Sequence, residues 1–258
     1  MDLIVDTQAL SYRFKGIRRD VDSENLGFSS ISANEFLLAQ PQNSDKPDYY
    51  TIHSNKSGLI NNRVDVGIRY LRDRNRARYG LIRASYLTDQ VIIDFNNQFS
   101  AYREFGNEAI AQIINNNKPE IYRMSIAHLP KSKQKYLIKR LQFILDNGYY
   151  CYSLTNSILE EALNLFSAFT SEHNCKGNIR NSINDILILA TAIDKGKRLL
   201  TYDNVLTRFA AKYCDAAIHQ DEDVLLVDFS AEKVVERKKN RESKGYIHKG
   251  WSYIICKN

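Results

Sequence analysis

Two acidic residues stand directly after short apolar stretches of the sequence. Leu3–Val5 precedes Asp6, and Leu199–Tyr202 precedes Asp203. Such stretches predict buried strands, and a charge at the end of a buried strand is costly unless it has a partner. If the strands are parallel, their carboxyl ends lie at one edge of the sheet, where ligands of such sheets gather. We therefore expect both carboxylates at that edge.

Two predicted helices add one acid each, Glu35 in SANEFLLA and Asp185 in NDILILATA. Four carboxylates brought together repel one another, so that either some bind protons or a cation holds them. Oxygen ligands with no His or Cys nearby in sequence suit hard cations, which predicts Mg²⁺ or Mn²⁺. Such ions activate water and stabilise charge on a phosphate under attack. The predicted chemistry is metal-dependent hydrolysis of a phosphodiester.

Each acid also has a purely structural interpretation. An aspartate after a strand is a common N-cap of the next helix, which applies to Asp6 and Asp203. Asp185 could flank the start of a helix, and Glu35 could lie on a solvated helix face. The catalytic hypothesis depends on all four carboxylates converging, which the sequence alone leaves open.

The order of predicted elements favours an α/β fold with a mainly parallel sheet, because strands alternate with helices. The predicted elements are strands at 3–5, 149–155, 199–202 and near 216–220, and helices at 7–15, 30–40, 89–115, 131–147, 156–173, 182–195 and 204–213. One more apolar run follows at 224–229.

A basic segment lies between residues 63 and 84. Apolar residues alternate on both sides of an arginine-rich centre, which predicts a β-hairpin with a basic turn. Arginine pairs with phosphates and tyrosine stacks on bases, so this hairpin is a candidate RNA-binding surface, although a solvated hairpin tip is the alternative. The arginines of this predicted surface are Arg69, Arg72, Arg74, Arg76 and Arg78.

Composition favours an anionic partner. The chain of 258 residues carries a net charge of +6, with a pI of about 9.0, which points to nucleic acid first. The four cysteines are far apart and form no CxxC pair, so a zinc knuckle or a disulfide framework is not indicated. We find no signal peptide and no run of about 18 apolar residues. We expect a cytoplasmic protein with no membrane partner.

Three blocks of the sequence resemble the PIN-domain ribonucleases, including the bacterial VapC-type toxins. The blocks are LIVDTQAL at the start, SANEFLL about thirty residues later and NDILILATAIDKGKRLLTYDNVLTRFA near the end. The last block is the most specific, since it combines an acid, an Ala-Thr-Ala helix, a Gly-Lys turn and an apolar strand ending in Thr-x-Asp. YCYSLTNSILEEALNLF is also similar to the family. The resemblance covers roughly residues 2–40 and 149–218.

The resemblance implies an α/β/α sandwich around a central, mainly parallel sheet. It implies Mg²⁺- or Mn²⁺-dependent cleavage of RNA, usually single-stranded. The acidic ligands that it implies are Asp6, Glu35, Asp185 and Asp203.

Two hydroxyl residues, Thr7 and Thr201, match small hydroxyl positions beside the acids of the family. Their implied role is to orient a carboxylate or a water molecule. The chain differs from the small toxins by an insertion at about 42–148 and by an extension at 220–258. We therefore expect a nuclease domain at 1–219.

Our leading hypothesis is a metal-dependent endoribonuclease, acting as a toxin or phage-defence effector. RNA is the expected substrate, and the resemblance leaves open an inhibitor, an activator protein or a homodimer as further partners. The alternative is a non-catalytic RNA-binding or scaffold protein on the same fold. A phosphatase of the haloacid dehalogenase type is disfavoured, because Gln8 stands where that family needs a second acid.

Overall fold

The computed structural model describes residues 3–17, 25–37, 52, 88–127, 129–173, 175, 179–214, 216–221, 224–229 and 250–256. The strands are β1 (Leu3–Val5), β2 (Leu26–Ser29), β3 (Gln90–Asp94), β4 (Tyr102–Phe105), β5 (Tyr150–Tyr152), β6 (Arg198–Thr201), β7 (Ala217–Asp221), β8 (Val224–Asp228) and β9 (Ser252–Cys256). The helices are α1 (Thr7–Lys15), α2 (Ser30–Phe36), α3 (Asn107–Asn115), α4 (Pro119–Ser125), α5 (Lys131–Asp146), α6 (Asn156–Glu172), α7 (Ile179–Asp194) and α8 (Asn204–Tyr213).

The main sheet has six strands in the order β5-β2-β1-β6-β8-β7. The first four are parallel, whereas β8 runs antiparallel to both β6 and β7. Val5 lies opposite Leu200, so that β1 and β6 end at the same edge. The prediction of an α/β fold with a mainly parallel sheet is confirmed.

Both faces of the parallel strands are buried, because alternate residues point into two different hydrophobic clusters. Ile4 and Leu199 belong to a cluster with α6, α7 and α8. Leu3, Val5 and Leu200 belong to a cluster with α1, α3 and α5. Helices therefore cover both faces, and a continuous apolar run is the composition expected of a strand in such a sheet.

The prediction of one long helix over 89–115 is wrong. The first part of this segment forms β3 and β4, and only its end forms α3. Val91 and Ile93 are fully buried and alternate with more exposed neighbours, which is the period of a strand. Asn96 and Asn97 have positive φ values of 49° and 62° and turn the chain between the strands.

A second, three-stranded antiparallel sheet has the order β4-β3-β9. It joins the inserted region to the end of the described chain, because β9 pairs along the whole of β3. Strands after residue 219 thus contribute to both sheets. The predicted basic hairpin at 63–84 lies outside the described residues. None of the helices in the described part of the chain is long and apolar enough to cross a membrane.

Candidate active site

Asp6 follows β1 and is 8% exposed. Its Oδ1 accepts a hydrogen bond of 2.6 Å from the backbone N–H of Ala9, so that it caps α1. The hydroxyl of Thr201, at the end of β6, donates to Oδ2. The capping interpretation is confirmed for Asp6, and the second oxygen ties it to the neighbouring strand.

Asp203 repeats this arrangement after β6. Its Oδ1 caps α8 by accepting hydrogen bonds of 2.7 Å and 3.1 Å from the N–H groups of Val205 and Leu206. Its own N–H donates to the Thr201 hydroxyl at 3.0 Å. One buried threonine therefore connects the two capping aspartates, and Asp6 and Asp203 meet at the carboxyl edge of the sheet.

Glu35 reaches the same edge from α2 and is held from two sides. The hydroxyl of Thr7, at the start of α1, donates to its Oε2. The side-chain amide of Asn184, on α7, donates to Oε1 at 2.6 Å. Both predicted hydroxyl residues, Thr7 and Thr201, thus bind carboxylates of the predicted set.

Asp185 lies on α7 and is partly buried. Burial is the largest cause of a rise in its pKa to about 8, and the charges of Asp203, Glu35 and Asp6 raise it further. The pKa of Asp6 rises to about 6, mainly through burial. The bonds from Thr201 and Ala9 oppose this rise, and the charges of Asp203 and Glu35 add to it.

The structure therefore brings the four predicted acids close enough to repel one another. Within the described ranges, no three His, Cys, Asp or Glu side chains are arranged as ready ligands of one metal ion. The donors are all carboxylate oxygens, which is the chemistry that Mg²⁺ and Mn²⁺ prefer. Their uncompensated repulsion is what a cation would relieve. The four carboxylates therefore fit Mg²⁺ or Mn²⁺ by charge and by ligand type. To bind one ion together, some of these side chains would have to move closer to one another.

A polar network that the sequence did not predict lies beside Glu35. Asn184 accepts a hydrogen bond of 2.8 Å from the Tyr102 hydroxyl, and this bond orients its amide toward Glu35. Glu104 is 6% exposed and accepts a bond of 2.7 Å from Asn34. Tyr102 and Glu104 belong to β4, while each asparagine directly precedes one of the two helical acids. The sequence does show an asparagine directly before each helical acid, which is a signal that could have identified Asn34 and Asn184. No local pattern identifies Tyr102 and Glu104 as their partners.

The five arginines of the predicted RNA-binding surface, Arg69, Arg72, Arg74, Arg76 and Arg78, lie outside the described residues. Comparison of the chain with protein-family models, with curated proteins and with solved structures gives no match.

We expect Thr201→Val to destabilise the protein more at pH 8 than at pH 5. The hydroxyl donates to Asp6, whose pKa of about 6 makes this carboxylate charged at pH 8 and mostly protonated at pH 5. A hydrogen bond to a charged group contributes about 1.5–3 kcal/mol, roughly twice that of a neutral one. Urea unfolding at the two pH values measures the difference.

Thr191→Val is the matched control for this substitution. Thr191 is equally buried, but its hydroxyl donates to the helical carbonyl of Leu187 at 2.7 Å and touches no acid. Its cost should not depend on pH between 5 and 8. Equal pH dependence of the two variants would contradict the role of Thr201 as a donor to a charged Asp6.

Proposed function

We propose that the protein is a metal-dependent endoribonuclease, built on a PIN-like α/β/α sandwich. The observation that carries this proposal is the convergence of Asp6, Glu35, Asp185 and Asp203, whose charges raise the pKa of Asp6 and Asp185. A purely structural role accounts poorly for this cluster, because neighbouring carboxylates that raise one another's pKa cost stability once they ionise.

The four acids would hold Mg²⁺ or Mn²⁺. The bound ion would lower the pKa of a water molecule and offset the charge that develops on the attacked phosphate. Hydrolysis would join the water oxygen to phosphorus and break one P–O ester bond, leaving a phosphate on one RNA end and a hydroxyl on the other.

The residues of this chain fix where the acids stand. Backbone N–H groups at the start of α1 and α8 hold one oxygen of Asp6 and of Asp203. Thr201 bridges these two acids, and Asn184 fixes Glu35 from α7. Because α1, α7, α8 and β6 together hold Asp6, Asp203 and Glu35, preorganisation of the site depends on the packing of the sheet against its helices.

RNA as the substrate is supported by the net charge of +6 and by the predicted arginine-rich hairpin. A single-stranded substrate follows from the resemblance to PIN-domain ribonucleases. We further propose a cytoplasmic toxin or phage-defence effector, kept in check by an inhibitor or switched on by an activator. An RNase of this kind would harm its own cell without such control.

We expect the purified protein to cleave single-stranded RNA with Mn²⁺ or Mg²⁺, and EDTA in excess to stop the reaction. Sequencing the RNA ends would identify the cleavage site and the end chemistry. Returning Mn²⁺ should restore cleavage, because the acids themselves are unchanged by chelation. Cleavage that continues in EDTA would contradict the proposal.

A non-catalytic RNA-binding protein is the second candidate. It is favoured by the hydrogen bonds that already occupy both oxygens of Asp6 and of Glu35. This candidate predicts tight RNA binding without any cleavage when Mn²⁺ is present. The cleavage assay therefore separates the two.

A further inference from the structure

Arg180 lies on α7, one helical turn before Asn184 and beside the acidic cluster. One of its terminal nitrogens donates to the carboxylate of Glu104 on β4. The other donates to the backbone carbonyl of Arg103 at 3.0 Å. The guanidinium also lies over the ring of Tyr102, 5.1 Å from its centroid. Three contacts with one inserted strand therefore fix this side chain.

The anchor of Arg180 is buried, whereas the Arg180 side chain is more than half exposed. The side chain of Glu104 is 8% exposed and that of Arg180 is 55% exposed. A guanidinium has five N–H donors in a planar fork, and these two bonds engage one on each terminal nitrogen. Both terminal nitrogens are thus held by β4, and three of the five N–H donors are not engaged by these two bonds.

The position of Arg180 matters because the neighbouring cluster is negative. Burial opposes the charge of Arg180, but Glu104, Tyr102 and also Glu35 raise its pKa, so that the guanidinium lies within electrostatic reach of one of the four site acids, Glu35. An RNA phosphate approaching four carboxylates is repelled. A fixed cation at the rim of the cluster reduces that repulsion, and arginine is the side chain best suited to bind phosphate through two parallel hydrogen bonds.

We propose that Arg180 binds a backbone phosphate of the RNA substrate and that Glu104 of the inserted strand β4 positions it. This inference rests on the proposed function and adds a substrate contact to that site. It also assigns a task to the inserted strand: β4 holds the phosphate-binding side chain through Glu104, while Tyr102 on the same strand orients Asn184 and through it Glu35.

Binding of a fluorescent single-stranded RNA, measured by anisotropy in EDTA, tests this contact without any cleavage. We expect Arg180→Gln to weaken binding at least about tenfold and to reduce the slope of log K against log salt by about 0.7, the value for one phosphate on a single strand. Arg180→Lys should keep the slope and lose most of the affinity, because an ammonium cannot form the bidentate contact.

Arg103→Gln is the matched control. Arg103 is the exposed neighbour of Glu104 on β4. Its substitution therefore removes the same positive charge as Arg180→Gln, but from the opposite face of the strand. We expect less than about a twofold change in RNA affinity. Equal losses for the Arg103 and Arg180 variants would overturn the proposal, since they would show that only net charge matters.

A double-mutant cycle tests the role of Glu104. If Glu104 positions Arg180, then Arg180→Gln should cost less than about threefold in a Glu104→Gln background. A full tenfold loss in that background would show that Arg180 acts without its anchor. The binding assay contains no divalent cation, so that an unchanged RNA affinity of the Arg180 variants would not contradict the proposed nuclease activity. Conversely, a protein that does not cleave RNA can still be tested for RNA binding by Arg180.

Discussion

We expect Asp6→Asn to abolish RNA cleavage and to leave the protein folded. Asparagine is as good a helix N-cap as aspartate, so that the bond from the Ala9 N–H can persist. The charge is lost, and with it one of the four carboxylates at the centre of the cluster. Losing several kcal/mol of stabilisation at the attacked phosphate corresponds to a fall in kcat of about a thousandfold or more. Single-turnover cleavage with Mn²⁺ measures it.

Asp89→Asn is the control for this loss. Asp89 is 2% exposed, and its two carboxylate oxygens accept hydrogen bonds of 2.6 Å and 3.0 Å from the N–H groups of Glu108 and Ala109 in the first turn of α3. It is thus a buried aspartate that binds the start of a helix, as Asp6 does, but the site acids are not among the causes of its raised pKa. Asparagine can replace only one of its two acceptor oxygens, so that this variant is compared with Asp6→Asn once both are shown to be folded. We expect this variant to keep cleaving RNA. Cleavage by a folded Asp6→Asn variant at the wild-type rate would refute the catalytic assignment.

The same pair of variants tests the cellular role. Expression of the wild type and of Asp89→Asn should arrest growth, whereas expression of Asp6→Asn should not. Equal growth of all three strains, at equal protein levels, would count against a toxin or defence effector.

We expect Asp185→Asn to stabilise the metal-free protein at pH 8 by about 1–3 kcal/mol. The pKa of Asp185 in the folded state is about 8, compared with an ordinary value of 3.8, because of burial and the charges of Asp203, Glu35 and Asp6. The folded state therefore binds this proton more tightly than the unfolded state does. Each pKa unit corresponds to about 1.4 kcal/mol, and partial exposure and relaxation reduce the full value.

The sign of this effect fixes its pH dependence. Folding stability falls as pH rises from about 4, the pKa in the unfolded state, through about 8, the pKa in the folded state, and levels off above about 9, where both states are ionised. Asparagine cannot ionise, so that the variant and the wild type should differ little near pH 4 and most at pH 8. Urea unfolding in EDTA across this range measures the difference.

Asp146→Asn removes the same charge from the exposed end of α5 and is the control. It should change stability by less than about 0.5 kcal/mol at every pH, as surface substitutions usually do. If the effect of Asp185→Asn on the free energy of unfolding were equally small at every pH, Asp185 would not be part of a cluster of repelling carboxylates.

The positions of Asp6 and Asp203 at one edge of the sheet could be predicted from the sequence, because each follows a short apolar stretch. The apolar stretches Leu3–Val5 before Asp6 and Leu199–Leu200 before Thr201 identify strands buried on both faces, and parallel pairing then brings their ends together. In the sequence, helix capping and metal binding are alternative interpretations of Asp6 and Asp203. In the structure, capping does not prevent the two aspartates from meeting. One carboxylate oxygen of each caps a helix, and the Thr201 hydroxyl bonds to both residues.

The sequence failed where pairing is long-range. β3 and β4 are short, and β3, the central strand of this sheet, pairs on its other side with β9 at the far end of the chain, so that no local pattern distinguishes β3 and β4 from a helix. Glu104 was missed for the same reason. Its partners Asn34 and Arg180 lie on α2 and α7, and only the folded chain brings them to β4.

Mn²⁺ binding shows directly whether the four carboxylates share a cation. Titration followed by the electron paramagnetic resonance signal of free Mn²⁺ should show about one or two ions bound per chain at pH 8, and this binding should be lost in a variant combining Asp6→Asn with Asp203→Asn. The variant combining Asp89→Asn with Asp146→Asn has the same net charge and should bind as the wild type does. Equal binding by both double variants, or no saturable binding by the wild type, would contradict the account that these four carboxylates meet to hold a catalytic cation.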